Sequence, residues 1–425
     1  MTQFSNLGLA EPILRAVSAQ GYTDPTPIQA QVIPAMMAGR DVLGTAQTGT
    51  GKTAAFVLPL LNALSGERRR PEPKSCRALI LAPTRELAAQ IVESAQAYSA
   101  GTKISVTMII GGVKMSKQVR AMQRGVDIVV ATPGRLLDLK KQDAIRFDQI
   151  QSVVLDEADH MMDMGFLPQI RNVLRQLPKV RQTVLLSATM PTDIRKLADQ
   201  FLNDPVDIAV AQVSKPVERI EQSVRFMRQD QKRDALRDIL VDENVETAIV
   251  FTRTKHGADR VCKHLEADGI RAAAIHGNKS QNRRTQALEA FKARDLKVLV
   301  ATDIAARGID IERVSHVVNF DLPNVPESYV HRIGRTARAG ESGTAIAFCD
   351  PSERKLLRDI EKLIGNRLAG NEAGQQDEPQ SEGRERGFRP EKDGQRRRKP
   401  RRRNRSRKAG GKAQGNAGRQ SSHAS

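Results

Sequence analysis

Residues 156–159 read Asp-Glu-Ala-Asp and close the apolar run Ser152-Val153-Val154-Leu155, while residues 46–53 read AQTGTGKT ahead of an apolar stretch over 54–64. Hydrolysis of a magnesium nucleotide needs such parts: backbone N–H groups around the phosphates, a lysine on the β- and γ-phosphates, one carboxylate on the ion and one on the attacking water. In that reading Gly49 and Gly51 let the backbone wrap the phosphates, and Ala46, Gln47, Thr48 and Thr50 complete the cradle. Lys52 reaches the phosphates, Thr53 and Asp156 hold Mg2+, and Glu157 orients or deprotonates the water. Asp159 is expected to hydrogen-bond neighbouring loops. Taken alone, each motif has a plainer reading. AQTGTGKT, with Ala46 where such loops usually carry glycine, could be a turn with an exposed lysine, and the carboxylates could cap the next helix. Met161, Met162 and Met164 read as core or interface filling.

These residues have to be positioned by strands and helices. Short apolar runs over 41–44, 78–82, 106–110, 128–131, 153–155 and 183–186 alternate with amphipathic segments, which predicts a doubly wound parallel sheet with ligands at the carboxyl ends of its strands. A second series over 247–251, 271–275, 297–300, 316–319 and 344–348 predicts another unit of the same α/β class in tandem. Between them Pro205 and Pro216 interrupt helical periodicity. The expected division is therefore a first domain over 1–205, a linker over 206–218 and a second domain over 219–365. The last helix is expected to start from Ser352 as N-cap with Glu353 in its first turn, to carry an apolar stripe of Leu356, Leu357, Ile360, Leu363 and Ile364, and to stop at Gly365. Beyond it, residues 366–425 are rich in Gly, Gln, Arg, Lys and Ser, and 396–408 read RRRKPRRRNRSRK. Such a segment buries too little apolar surface to offset its ordering entropy and is expected to be a disordered basic tail.

The chain has 425 residues and a formal charge of +19, which points to a polyanionic partner. From Asn366 onward 17 Lys and Arg face 7 Asp and Glu, so about half of the excess lies in the tail and the body is still basic. No stretch approaches the roughly 18 apolar residues of a membrane span, and the amino terminus shows no basic segment followed by an apolar one, so a cytoplasmic location is expected. Cys76, Cys262 and Cys349 are scattered and form no C-x-x-C, which argues for buried free thiols over a zinc or disulfide framework.

Further motifs make the chain resemble the DEAD-box RNA helicases, most closely their bacterial RhlE-type branch. They are GYTDPTPIQ at 21–29, PTREL at 83–87, Gly111-Gly112, TPGR at 132–135, SAT at 187–189, IVFTRT at 249–254, QNRR at 281–284, ATDIAARGIDI at 301–311 and HRIGRTAR at 331–338. The resemblance covers residues 4–365 and implies two RecA-like lobes, with the Q motif within residues 2–30. It assigns Gln29 to the adenine edge, Phe4 or Tyr22 to packing near the base, Asp310 to the ribose, and Arg335 and Arg338 as arginine fingers on the γ-phosphate. Ser187, Thr189 and His331 couple the ATP and RNA surfaces. RNA contacts fall on Thr84, Arg85, Gly111, Gly112, Thr132, Arg135, Arg284 and Thr302. Residue 337 is Ala where the family usually has Gly, which matters only if that backbone needs a positive φ.

The resemblance thus implies an RNA-dependent ATPase, using ATP and Mg2+, whose lobes close on RNA and separate short duplexes. A clamp or annealing factor would share every motif. Few aromatic residues are available to stack bases, so contacts should follow the sugar-phosphate backbone with little sequence preference, and 2′-hydroxyls should distinguish RNA from DNA. The tail would be a second, looser RNA contact. Ribosomal precursors and the RNA-decay machinery are compatible partners.

Overall fold

The apolar strands run parallel and are covered on both faces, which is why they read as continuous hydrophobic runs. In the computed structural model, which describes residues 3–370 except 48, 67–69, 211–219, 243–244, 307–310, 312–313 and 338–341, they form two sheets of seven strands. The first contains β1 (Val42–Thr45), β2 (Cys76–Leu81), β3 (Val106–Ile109), β4 (Val126–Ala131), β5 (Ser152–Leu155), β6 (Gln182–Ser187) and β7 (Val206–Ala209), in the order β3-β4-β2-β5-β6-β1-β7. The second contains β8 (Ile220–Phe226), β9 (Ala248–Phe251), β10 (Ala272–Ile275), β11 (Val298–Ala301), β12 (His316–Asn319), β13 (Gly343–Cys349) and β14 (Ala369–Gly370), in the order β10-β11-β9-β12-β13-β8-β14. Each sheet therefore anchors one RecA-like lobe, and all seven positions follow the same pattern in both.

Alternation within a strand divides the core between the two faces. Ile80, Val130, Val154 and Val184 join one apolar cluster of the first lobe, and Leu79, Val129, Val153 and Leu185 join the other. The second lobe does the same with Val250, Val300 and Val318 on one face and Ile249, Leu299 and Val317 on the other. The helix Lys52–Gly66 is apolar almost all round because it lies between the sheet and other helices, with Phe56, Val57, Leu58 and Leu61 fully buried. All three cysteines are free and buried. Among the described residues no helix is long and apolar enough to cross a membrane.

Four elements depart from the sequence expectation. Residues 206–209, expected in the linker, form β7, which pairs with β1 from Val42↔Val206 to Thr45↔Ala209 and closes the edge of the first sheet. Strand β8 was hidden because only Ile220 and Val224 of IEQSVRF are buried, too weak a pattern to stand out. The last helix spans Arg354–Ile364 after a short turn over Pro351–Glu353, and the residue that opens this turn is Asp350, not Ser352. Asp350 accepts from the Ser352 backbone N–H at 2.7 Å, and its own N–H donates to Glu353 Oε2 at 3.3 Å. Gly365 ends the helix with φ of 71°, as a left-handed terminator does. Packed structure continues past it, since Ala369 and Gly370 pair with Ser223 and Val224 of β8. The expected tail beyond 370 and most of the expected linker lie outside the described residues.

Candidate functional site

The carboxyl ends of β1, β5 and β6 carry the phosphate loop, the acidic motif and the SAT segment, so parallel topology alone brings them to one edge. Ala46 is fixed by its N–H to the Ser187 carbonyl at 3.0 Å. Gly49 and Gly51 have φ of 82° and 87°, the conformation that turns successive N–H groups inward. Lys52 is buried and donates to the Ala46 carbonyl at 2.7 Å, folded back across the loop it serves. Gln29 accepts from the Thr26 N–H at 2.9 Å and donates to the Gly51 carbonyl at 3.1 Å. A Cβ on Gly51 would come within 2.5 Å of that amide nitrogen, so glycine is required there for Gln29 to touch the loop. Phe4 is buried in the core of the first lobe, whereas Tyr22 is 49% exposed beside Tyr98. Thr48 lies outside the described residues.

Asp156, Glu157, Asp159 and His160 are all buried. Burial pushes the Asp156 carboxyl up to about 7, with Lys52 opposing and the neighbouring Glu157 adding to the rise. Burial acts on Glu157 in the same direction, but the hydrogen bond and charge of His160, with Lys52 and Arg335, outweigh it and hold this carboxyl at about 2. The two adjacent acids are thus split, one reluctant to ionise without a cation and one ionised. Glu157 has φ of 53° and ψ of 53°, a left-handed conformation that is rare for a side chain of this size. Asp159 accepts from Thr189 N–H at 2.8 Å and Thr189 Oγ1 at 2.9 Å, and its own N–H donates to Ser187 Oγ at 3.2 Å. The neighbouring loop that Asp159 was expected to hydrogen-bond is therefore the SAT segment, which it ties to the acidic motif.

The second lobe reaches the same point. The helix Pro326–Ile333 presents His331, whose Nδ1 lies 3.4 Å from Nε2 of His160, and His160 Nδ1 lies 2.9 Å from Glu157 Oε2. Arg335 follows within one turn and is buried, close enough for its charge to act on Glu157. Arg332 anchors this segment through Asp303, with Nη2 on Oδ2 at 2.8 Å, through Asn319 Oδ1 at 2.9 Å and through the Asp321 carbonyl at 2.7 Å. Arg338 and Asp310 lie outside the described residues. Ala337 has φ of 54°, so the substitution at this position does fall where the backbone is left-handed.

The residues assigned to RNA also gather at carboxyl ends of strands. Thr84 caps the helix Arg85–Tyr98 by accepting from the Leu87 N–H at 3.2 Å. The Arg85 guanidinium lies over Gly111 and Gly112, and a Cβ on Gly112 would meet Arg85 Nη1 at 2.0 Å. Arg135 donates to the Val113 carbonyl at 2.8 Å, and Thr132 and Thr302 follow β4 and β11. Arg284 is engaged across the lobes: it pairs with Glu86 at 3.0 Å, and Gln281 accepts from Arg85 at 3.3 Å and donates to Glu86 at 2.8 Å. Sequence reasoning missed Glu86, Gln281, His160, Asp303 and Arg332. The signal for Glu86 and Gln281 was their place inside PTREL and QNRR, and for His160 the imidazole directly after the acidic motif; Asp303 and Arg332 carried none beyond their motifs.

Residues 26–197 match the DEAD/DEAH box helicase family, and residues 231–340 match the helicase conserved C-terminal domain. The chain is 43% identical over 365 residues to the DEAD-box ATP-dependent RNA helicase CshA of Bacillus subtilis, covering 86% of this chain and 73% of that protein. It is 44% identical over 366 residues to the RNA helicase CrhR of Synechocystis, with the same coverage of 86% and 73%. Among solved structures it is similar to S. cerevisiae Dbp5 bound to RNA and ADP BeF3, with a TM-score of 0.78, 33% identity, and coverage of 87% of this chain and 96% of that one. Mss116p bound to ssRNA and AMP-PNP gives a TM-score of 0.78 at 28% identity, covering 87% and 80%.

Proposed function

The chain belongs to the DEAD-box family of ATP-dependent RNA helicases, and from that premise we propose how its residues divide the work of RNA-stimulated ATP hydrolysis and local duplex unwinding. The carrying observation is that groups of both lobes meet at the acidic motif: Glu157, His160, His331 and Arg335 form one contiguous set. ATP lies with its phosphates in the loop over 46–53. Gly49 and Gly51 donate through their backbone, with Ala46, Gln47, Thr48 and Thr50 around them, and Lys52 leaves the Ala46 carbonyl for the β- and γ-phosphates. Gln29 reads the adenine edge and reports on the loop through Gly51, with Phe4 or Tyr22 near the base and Asp310 on the ribose. Glu157, held ionised, orients and accepts the proton of the attacking water. Arg335 and Arg338 stabilise charge on the γ-phosphate from the second lobe.

Thr53 and Asp156 fit a magnesium ion, because a buried carboxyl pushed up to about 7 is one whose ionised form still needs a cation. Bound there, Mg2+ would neutralise charge on the phosphates. RNA runs across Thr84, Arg85, Gly111, Gly112, Thr132, Arg135, Arg284 and Thr302, with Arg284 also pairing across the lobes with Glu86. Ser187 and Thr189, tied to Asp159, and His331, beside His160, couple the two surfaces. Domains over 1–205 and 219–365, extended to 209 and 370 by the pairing of β7 and β14, a basic RNA-binding tail, a cytoplasmic location, and ribosomal precursors or the RNA-decay machinery as partners are part of the same proposal. So is placement in the RhlE-type branch, supported by the motif set, while the relatives above carry the CshA and CrhR names. Crosslinking and sequencing of bound RNA identifies the substrate.

Arg335→Ala tests the shared site. Loss of an arginine finger lowers turnover about a thousandfold or more in related phosphoryl transfer. Steady-state ATPase with saturating RNA should fall on that scale, and unchanged turnover refutes a site completed by the second lobe. Strand displacement on tailed and blunt RNA duplexes separates unwinding from a clamp, which would hydrolyse ATP without releasing the strand.

A further inference from the structure

We propose that Asp159, His160 and His331 form a second metal site, for a transition-metal dication of the Zn2+ type, that joins the two lobes. Among the described residues these three are brought together with ligand atoms within 4.8 Å of one another, and Asp159 and His160 are buried. The two imidazole nitrogens have the spacing of ligands on one ion: Zn–N bonds of 2.0–2.1 Å in tetrahedral geometry place two nitrogens about 3.3 Å apart, and His160 Nε2 and His331 Nδ1 are 3.4 Å apart, while the Asp159 carboxylate, within 4.8 Å of them, closes in to become the third ligand. Their rings stand at 77° with centroids 4.8 Å apart, so the two nitrogens converge without the rings stacking.

The surroundings supply what such a site needs. A ligating histidine ordinarily gives its other ring N–H to a carboxylate, which fixes the tautomer and raises basicity. His160 has that partner: its Nδ1 lies 2.9 Å from Glu157 Oε2, and a proton there leaves the Nε2 lone pair facing His331. The Asp159 carboxylate is held by Thr189 and by the His160 N–H at 3.0 Å, yet its oxygens offer about four lone-pair positions. Two imidazoles and one carboxylate suit Zn2+, Co2+ or Ni2+ and not magnesium, which takes oxygen ligands, so this site does not compete for the nucleotide's ion.

The ligands belong to different lobes and are 171 positions apart in the chain. A bound ion therefore ties the helix Ala158–Asp163 to the helix Pro326–Ile333 and opposes reopening. The proposal of metal binding rests on the described ligand geometry alone, and only its expected consequence, slower turnover through opposed reopening, rests on the proposed helicase mechanism.

The test uses the full chain, stripped with chelator and titrated with Co2+, whose visible absorption reports its coordination, followed by displacement with Zn2+. His160→Gln and His331→Gln should each weaken binding at least about a hundredfold, and Glu157→Gln, which removes only the outer carboxylate, about 10–100-fold. Fluorophores on the two lobes should show closure by Zn2+ without RNA or ATP in the unsubstituted protein and none in His160→Gln. Equal affinity in the unsubstituted protein and either histidine variant, or closure that persists in His160→Gln, overturns the proposal. Wild-type crystals soaked in Zn2+ give a variant-free reading: an anomalous peak within bonding distance of both imidazoles supports the site, and its absence there overturns it.

Discussion

Glu157 and Ala337 both hold left-handed backbone, with φ of 53° and 54°, on the two sides of the lobe junction. For Glu157 the conformation has a visible use, since the turn after β5 sends its carboxylate back to His160 while its carbonyl begins the next helix. For Ala337 the methyl group packs, partly buried, against the apolar cluster of the second lobe that contains Tyr329, Ile333 and Leu357. A left-handed alanine costs about 1–2 kcal/mol, part of which glycine returns as extra freedom of the unfolded chain. Ala337→Gly should therefore stabilise the second lobe by about 1 kcal/mol or less, read as a higher urea midpoint at unchanged slope. A lower midpoint would mean that the alanine side chain contributes packing that outweighs its strained backbone.

The helices Arg85–Tyr98 and Gln281–Lys292 face each other across the lobes through their first turns. Glu86 and Arg284 lie there with side chains 4% and 10% exposed, so this ion pair is desolvated and removing one partner leaves a charge without compensation. Two simple expectations then differ in sign. If Glu86 acts only through its charge, Glu86→Ala should tighten binding of a polyanion. If it closes the lobes, the same change should weaken RNA binding in the presence of a non-hydrolysable ATP analogue by about tenfold or more, and leave binding without nucleotide nearly unchanged. Equilibrium titration with labelled single-stranded RNA distinguishes them. Burial pushes Cys76, Cys262 and Cys349 up to about 12 each, so the reactive thiolate is scarce at pH 8. A disulfide reagent should label none of them within minutes until denaturant is added; rapid labelling of the native protein would contradict the described burial.

At the scale of the whole chain, a charge of +19 is shared between a basic body and a segment beyond Gly370. Truncation there should weaken RNA binding and flatten its salt dependence, by about 0.7 in slope for each phosphate no longer neutralised. Turnover at saturating RNA should stay close to that of the full chain; a collapse would make the segment catalytic. The sequence by itself determined the phosphate loop, the acidic motif, eleven of the fourteen strands among the described residues and the order of lobes, because motif spacing and hydrophobic period are set by near neighbours in the chain. It was silent on β7, β8 and β14, where too few buried residues leave a pattern. Only the tertiary structure decided that Asp156 and Glu157 would be driven apart in acidity, that Arg284 would meet Glu86, and that His160 would meet His331. Those outcomes depend on desolvation and on contacts between residues 171 to nearly 200 positions apart. Parallel topology brings them together at the ends of strands, and no local spacing encodes which side chains will then face each other.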